Sequence, residues 1–243
     1  MKQISLNRIS LLIKRYVFMN LKTHLIYLAG AAAILLMLSL LTTWVAKGEY
    51  DYLLFQNQMK AIAIFGGFII TSKVFKEISS KHRGWFYMML PANPIEKVLA
   101  YWLTTSIGYI VIASIAMVVL SIITSLITSI FFKTALYVYN PVDKTGLMFM
   151  VHYCILQSVF FLGAISFRKN NFLKTILAMF VVIVVVAIIL GIISYLLYND
   201  ASIDSTGMNI INPKIYYSLN IVYYALVIPF FLTVSYFKFK ERR

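Results

Sequence analysis

Six stretches of this chain carry no Asp, Glu, Lys or Arg: residues 25–46, 61–72, 98–132, 145–167, 175–199 and 215–237. A bilayer core about 30 Å thick takes roughly 20 predominantly apolar residues per helix, so five of these runs are long enough to cross it outright. The 12-residue run becomes a span if its helix starts near Phe55 and Lys60 snorkels toward the outer headgroups as an anchor. The spacing therefore predicts an all-α polytopic membrane protein with six transmembrane helices, at about 25–46, 55–74, 97–128, 146–167, 174–198 and 215–237. Residues 1–243 form a single transmembrane domain in this reading, because the loops are too short to hold a soluble one. Composition agrees, since 61% of residues are hydrophobic and 12% charged, which excludes a soluble enzyme.

The 98–132 run is too long for one upright span and too short for two with a turn. It holds one glycine, Gly108, and no proline or polar turn cluster, so it reads as one tilted or over-long helix. The N-terminal basic region is too long for a cleavable signal peptide, and no small-x-small site follows the first apolar run, so the N-terminus is expected to be retained.

The net charge of +14 is distributed by side. Basic residues gather before the first span (Lys2, Arg8, Lys14, Arg15, Lys22), in the second loop (Lys73, Lys76, Lys81, Arg83, Lys97), in the fourth (Arg168, Lys169, Lys174) and at the C-terminus (Lys238, Lys240, Arg242, Arg243). The positive-inside rule then puts both termini in the cytoplasm of a bacterial cytoplasmic membrane. That topology accounts for the basic excess without nucleic acid.

Residues 4–22 are amphipathic. Ile9, Leu12, Ile13, Tyr16 and Val17 cluster on one face, with Arg8, Lys14, Arg15 and Lys22 roughly opposite. This pattern predicts a helix lying in the cytoplasmic interface.

Catalytic chemistry is sparse. His24, His82 and His152 share no metal-ligand spacing, Cys154 is the one cysteine, and there is neither G-x-S-x-G nor a P-loop. No catalytic, cofactor-binding or metal residues are assigned, and the chain is expected not to be an enzyme. His152 and Gln157 in the fourth span are candidates for a pathway or for interhelical hydrogen bonds. Ser114, Ser121, Ser125 and Thr128 fall on one face of the third span, which suits tight packing, a pathway or a dimer interface. Coupling ions are usually bound by acidic or basic groups at membrane depth, and only Lys60 comes close, so any transport would draw its energy from a partner.

The densest run of unusual residues is the loop between spans two and three. Basic positions precede the aromatic and methionine block Trp85-Phe86-Tyr87-Met88-Met89-Leu90, and Pro91-Ala92-Asn93-Pro94 follows. Asn93 suits an N-cap, Pro94 a first helical turn, and Glu96 the positive end of the helix dipole. Lys76 to Leu90 reads as a short helix lying across the membrane face.

At Glu77, Leu90-Pro91 and Glu96 the sequence resembles the permease subunits of ATP-binding-cassette exporters of the second integral-membrane type. In that family an acidic residue near the end of span two is followed by a short segment and then a Leu-x(0–2)-Pro-x-x-x-x-Glu pattern entering span three. The six-span layout with an amphipathic N-terminal helix is similar too. The resemblance implies that this loop is a coupling helix, with Glu77, Arg83, Trp85, Phe86, Leu90, Pro91 and Glu96 engaging a separate cytoplasmic ATPase that holds ATP and Mg. It also implies a dimer with itself or a related permease. Arg83-Gly84-Trp85 stands where the family often has Gly-Thr, and Tyr101 where it commonly has lysine, which leaves subfamily and substrate open. The competing reading is a non-transporting six-span scaffold, immunity or sensor protein.

Overall fold

The computed structural model describes residues 4–48, 51–76, 89–167, 169–198 and 213–241, with side-chain surroundings throughout except at 194, 196–198 and 213–225. Its regular elements are all helical. They are α1 (Leu6–Val45), α2 (Tyr52–Lys73), α3 (Pro94–Phe132), α4 (Lys144–Ser166), α5 (Asn171–Tyr198) and α6 (Pro213–Glu241). Helices α1 to α5 are each long and apolar enough to cross a membrane, so the chain is a multi-pass membrane protein.

Helix α1 differs from the sequence expectation. The amphipathic segment is not a separate interfacial element but the start of one helix of 40 residues. Its apolar face meets protein: Ile9 and Leu12 are buried against Ala100, with Leu90 and Leu103 beside them, and Tyr16 packs with Val98, Tyr101 and Phe161. Protein has taken the place of lipid against that face because the first turns of α3 offer a matching apolar surface.

Helix α2 starts on Asp51, whose carboxylate accepts from the amides of Leu53 and Leu54 at 2.9 and 3.0 Å, relieving two of the unpaired N–H groups of a helix start. Helix α3 runs from Pro94 to Phe132 and contains a π-helical turn at Thr104–Gly108. The local sequence supports that widening. Thr104, Thr105 and Ser106 each return their hydroxyl to the carbonyl four residues back, at 2.7, 2.9 and 2.7 Å, which satisfies backbone acceptors inside a span.

The largest buried apolar cluster joins α1, α3, α4 and α6 around Tyr101 and Phe161, and a second sits where α2, α3 and α4 converge. A Cβ on Gly67 would lie 2.4 Å from the Tyr153 ring and 2.7 Å from that of Tyr109, so only glycine lets both tyrosines cross α2. Gly163 does the same for α4 and α5, since its Cβ would meet the Thr175 hydroxyl at 1.9 Å. Small residues at helix crossings are how membrane bundles bring backbones together without a hydrophobic drive. Beyond this crossing α5 leaves the bundle, and every side chain from Val181 to Ile193 is exposed.

Candidate functional site

The end of the bundle where α1 and α3 begin is organised by Glu96. Its side chain is fully buried, and one oxygen accepts from the Ser5 amide at 2.8 Å and from the Arg8 guanidinium at 2.9 Å. The other accepts from the Asn93 amide at 2.8 Å, the return half of a capping box at the start of α3. Glu96 precedes the charge-free part of α3. Burial pushes its carboxyl toward the neutral form, but the two amides and Arg8 outweigh this and hold it below its ordinary value. A carboxylate with three donors is thereby kept charged while joining α1 to α3 across 88 residues of sequence.

Leu90 and Pro91 stand just ahead of this clamp, and Leu90 packs against both apolar clusters of α1 and α3. The C-terminal end of the loop is therefore fastened to α1 by apolar contact and to Glu96 through Asn93. Glu77, Arg83, Trp85 and Phe86 lie outside the described residues. Upstream of them, Phe75 is buried in edge-on contact with Tyr101 and Phe161 at 5.3 and 5.1 Å between ring centres. Both visible ends of the loop are thus embedded in the bundle.

Within the membrane, the predicted pair in α4 separates. Gln157 is fully buried and donates to the Thr105 hydroxyl at 2.7 Å, while Tyr153 one turn earlier donates to the Thr105 carbonyl at 2.8 Å. Tyr109 donates to the Ala63 carbonyl at 2.6 Å. The π turn of α3 is thereby tied to α4, and Tyr109 just beyond it to α2. His152 points away from this node, exposed, with a ring nitrogen 2.7 Å from the Met148 carbonyl of its own helix. It does not share a site with Gln157.

The hydroxyl stripe of α3 is bonded along its C-terminal half by the chain that follows the helix. Ser121, Ser125 and Thr128 are buried, while Ser114 is half-buried. What covers the stripe is the extended segment 133–140, which turns back at Lys133 in the left-handed conformation and runs down the helix it has just left. The Tyr139 amide donates to the Ser121 hydroxyl at 2.9 Å, and the Thr134 hydroxyl donates to that of Thr128 at 3.3 Å. Gln56 of α2 donates to the Tyr137 hydroxyl at 2.9 Å, and Tyr52 stands edge-on to the Tyr137 ring at 3.8 Å. Irregular backbone beside spans is tolerated where protein satisfies it, which is what Ser121 does for Tyr139.

Beyond this flap, Asp143 opens α4. The Lys144 amide and the Thr145 hydroxyl hold its exposed carboxyl below the usual range, and Lys60 adds a smaller attraction.

Among the described residues no three His, Cys, Asp or Glu side chains converge on a metal site. These buried carboxylate, amide and hydroxyl contacts tie α1 to α3 and α3 to α4. Neither protein-family models, nor curated proteins, nor solved structures match the chain.

Proposed function

We propose that this chain is the membrane-spanning subunit of an ATP-driven exporter, working as a homodimer or heterodimer beside a separate cytoplasmic ATPase that supplies ATP and Mg. The observation that supports this reading is the fastening of residues 90–96, the described C-terminal end of that loop. A partner that pushes on a cytoplasmic loop moves the spans only if the loop is joined to them stiffly, and the Glu96 clamp with the Leu90 contact is such a joint. In this reading Glu77, Arg83, Trp85 and Phe86 form the ATPase contact.

The sixth span is α6, both termini are cytoplasmic, and the membrane is the bacterial cytoplasmic one, as the basic loops require. The unpartnered apolar length of α5 suits lipid or the second permease of a dimer. Transport takes its energy from ATP because the spans carry no acidic or basic pair that would bind a coupling ion.

Purification of the chain from its native membrane in mild detergent tests this. An ATPase should accompany it, and hydrolysis in the complex should vanish when the ATPase alone loses its catalytic base. ATP hydrolysis by this chain alone, or recovery of the intact chain in stable assemblies free of any ATPase, would overturn the reading and favour the scaffold.

A further inference from the structure

Between α1, α2 and α3 runs a groove of about 250 Å³, and its walls are almost wholly apolar. Its depth comes from small residues: Ala31 on α1, Ala63 and Gly66 on α2, Ala113 and Ala116 on α3. The lining positions of α2 from Met59 through Ile62, Gly66 and Ile70 repeat every three to four residues, and Lys73 continues that stripe at its cytoplasmic end. At 1.5 Å per residue the stripe from Met59 to Lys73 is about 21 Å long, more than the depth of one leaflet of a roughly 30 Å core. Compact organic ligands occupy pockets of roughly 300–1,000 Å³, so this long, narrow space suits one linear chain better.

The cytoplasmic end of the groove differs from the rest. Tyr27 lines it and accepts from the Lys73 ammonium, which also stands 4.9 Å from the Tyr27 ring centre. Lys73 is exposed, and no carboxylate among the described residues pairs with it. A cation held at the interfacial mouth of an apolar slot is complementary to one common molecule, an anionic glycerophospholipid of the inner leaflet.

We infer that the groove between α1, α2 and α3 binds such a lipid, with one acyl chain along the Ala31–Ala113 slot and its phosphate at Lys73 and Tyr27. The site is independent of the export reading, since it needs neither an ATPase nor transport.

The test uses the full-length chain reconstituted in nanodiscs of phosphatidylcholine with one-tenth phosphatidylglycerol, extracted into mild detergent, with retained lipid identified by native mass spectrometry. Wild type should retain one phosphatidylglycerol per chain in preference to phosphatidylcholine. Lys73→Gln should lower that preference about fivefold, roughly what one lysine contributes near an anionic surface, while still retaining a lipid of either kind. Ala113→Phe, which fills the slot, should abolish retention of both. Ala31→Phe enters from the opposite wall and serves if the first variant fails to fold, as judged by size exclusion and helical content. Equal retention of the two lipids by wild type and Lys73→Gln would overturn the headgroup assignment. Unchanged retention in a folded slot-filled variant, or a dimer that becomes monomer on filling the slot, would overturn the acyl-chain assignment.

Discussion

Arg8 and Glu96 lie 88 residues apart in the chain and 2.9 Å apart in space, and the carboxylate they share with two backbone amides is fully buried while the guanidinium is about one-third exposed. That asymmetry decides what each substitution does. Glu96→Ala leaves the Ser5 and Asn93 amides without their acceptor, at about 1–3 kcal/mol for each unsatisfied buried donor, while Arg8, which water reaches, can be rehydrated. Arg8→Ala removes one donor of three and leaves the carboxylate on its two amides, so it should cost less. Heating detergent-solubilised protein and measuring what survives as a single size-exclusion peak should rank them wild type, Arg8→Ala, then Glu96→Ala. Equal losses would mean that Glu96 acts only through Arg8.

The same carboxylate sets an acid limit. Its folded value lies below the ordinary 4.5, because the Ser5 and Asn93 amides and Arg8 overcome the opposing effect of burial. A depressed value stabilises the fold above the unfolded value, and the stabilisation is lost as pH falls from there through the folded value. Thermal stability of wild type should therefore drop more steeply below about pH 4.5 than that of Glu96→Gln, which starts lower and has no carboxyl to titrate. Parallel curves would remove Glu96 from the acid response.

Hydroxyl spacing along α3 displays its buried face, but not what covers it. Ser121, Ser125 and Thr128 are legible as a stripe because helical periodicity is local information. Their partner, the segment around Tyr137 and Tyr139, reads as an outer loop because nothing local records that it doubles back. Gln157 and His152 show the same limit: both are polar positions in one span, and only the tertiary rotation of α4 decides that Gln157 meets Thr105 while His152 faces outward. The Glu96 cap was legible from Asn93-Pro94-Ile95-Glu96, whereas its pairing with Arg8 depends on how α1 crosses α3. Amphipathicity of residues 4–22 marked a face to be covered, without saying whether lipid or protein covers it.

The flap over α3 yields a direct prediction. Ser121→Ala removes the acceptor of the Tyr139 amide, and a buried donor left unsatisfied costs about 1–3 kcal/mol. Hydrogen exchange across 133–143 should accelerate in this variant by at least fivefold, with exchange in α4 unchanged. Equal acceleration along α4 would mean that the flap and the helix open together.

Gly163 constrains the crossing of α4 and α5. With Thr175 Oγ1 only 1.9 Å from where a Cβ would sit, Gly163→Ala forces the helices apart, at the roughly 1–3 kcal/mol typical of overpacking. Thr175→Ala removes the hydroxyl and the methyl that make the two closest contacts, so the double variant should recover part of the lost thermal stability. Additive losses would place the strain elsewhere.

The proposed orientation rests on the positive-inside rule and is tested by labelling. With Cys154 replaced by Ala, cysteines introduced at Ser80 and Lys169 should resist an impermeant thiol reagent in intact cells, while those at Asp143 and Asp204 should label. Labelling at 80 or 169 would reverse the assignment of sides.

Coupling to an ATPase is the prediction that tests the export reading residue by residue. Glu77→Ala, Arg83→Ala and Trp85→Ala should each weaken ATPase co-purification at equal membrane abundance, because docking interfaces concentrate their energy in a few large or charged anchors whose truncation commonly costs over 2 kcal/mol. If docking is their role, thermal stability of the membrane domain should stay within about 0.5 kcal/mol of wild type. Glu96→Ala should behave oppositely, losing stability first, since its partners are Ser5, Arg8 and Asn93 of the same chain. If Trp85 only anchors the loop at the headgroups, its loss would alter the depth of the loop without changing ATPase recovery. Unchanged ATPase binding and export in all three variants would show that the segment between Phe75 and Leu90 is not where force enters.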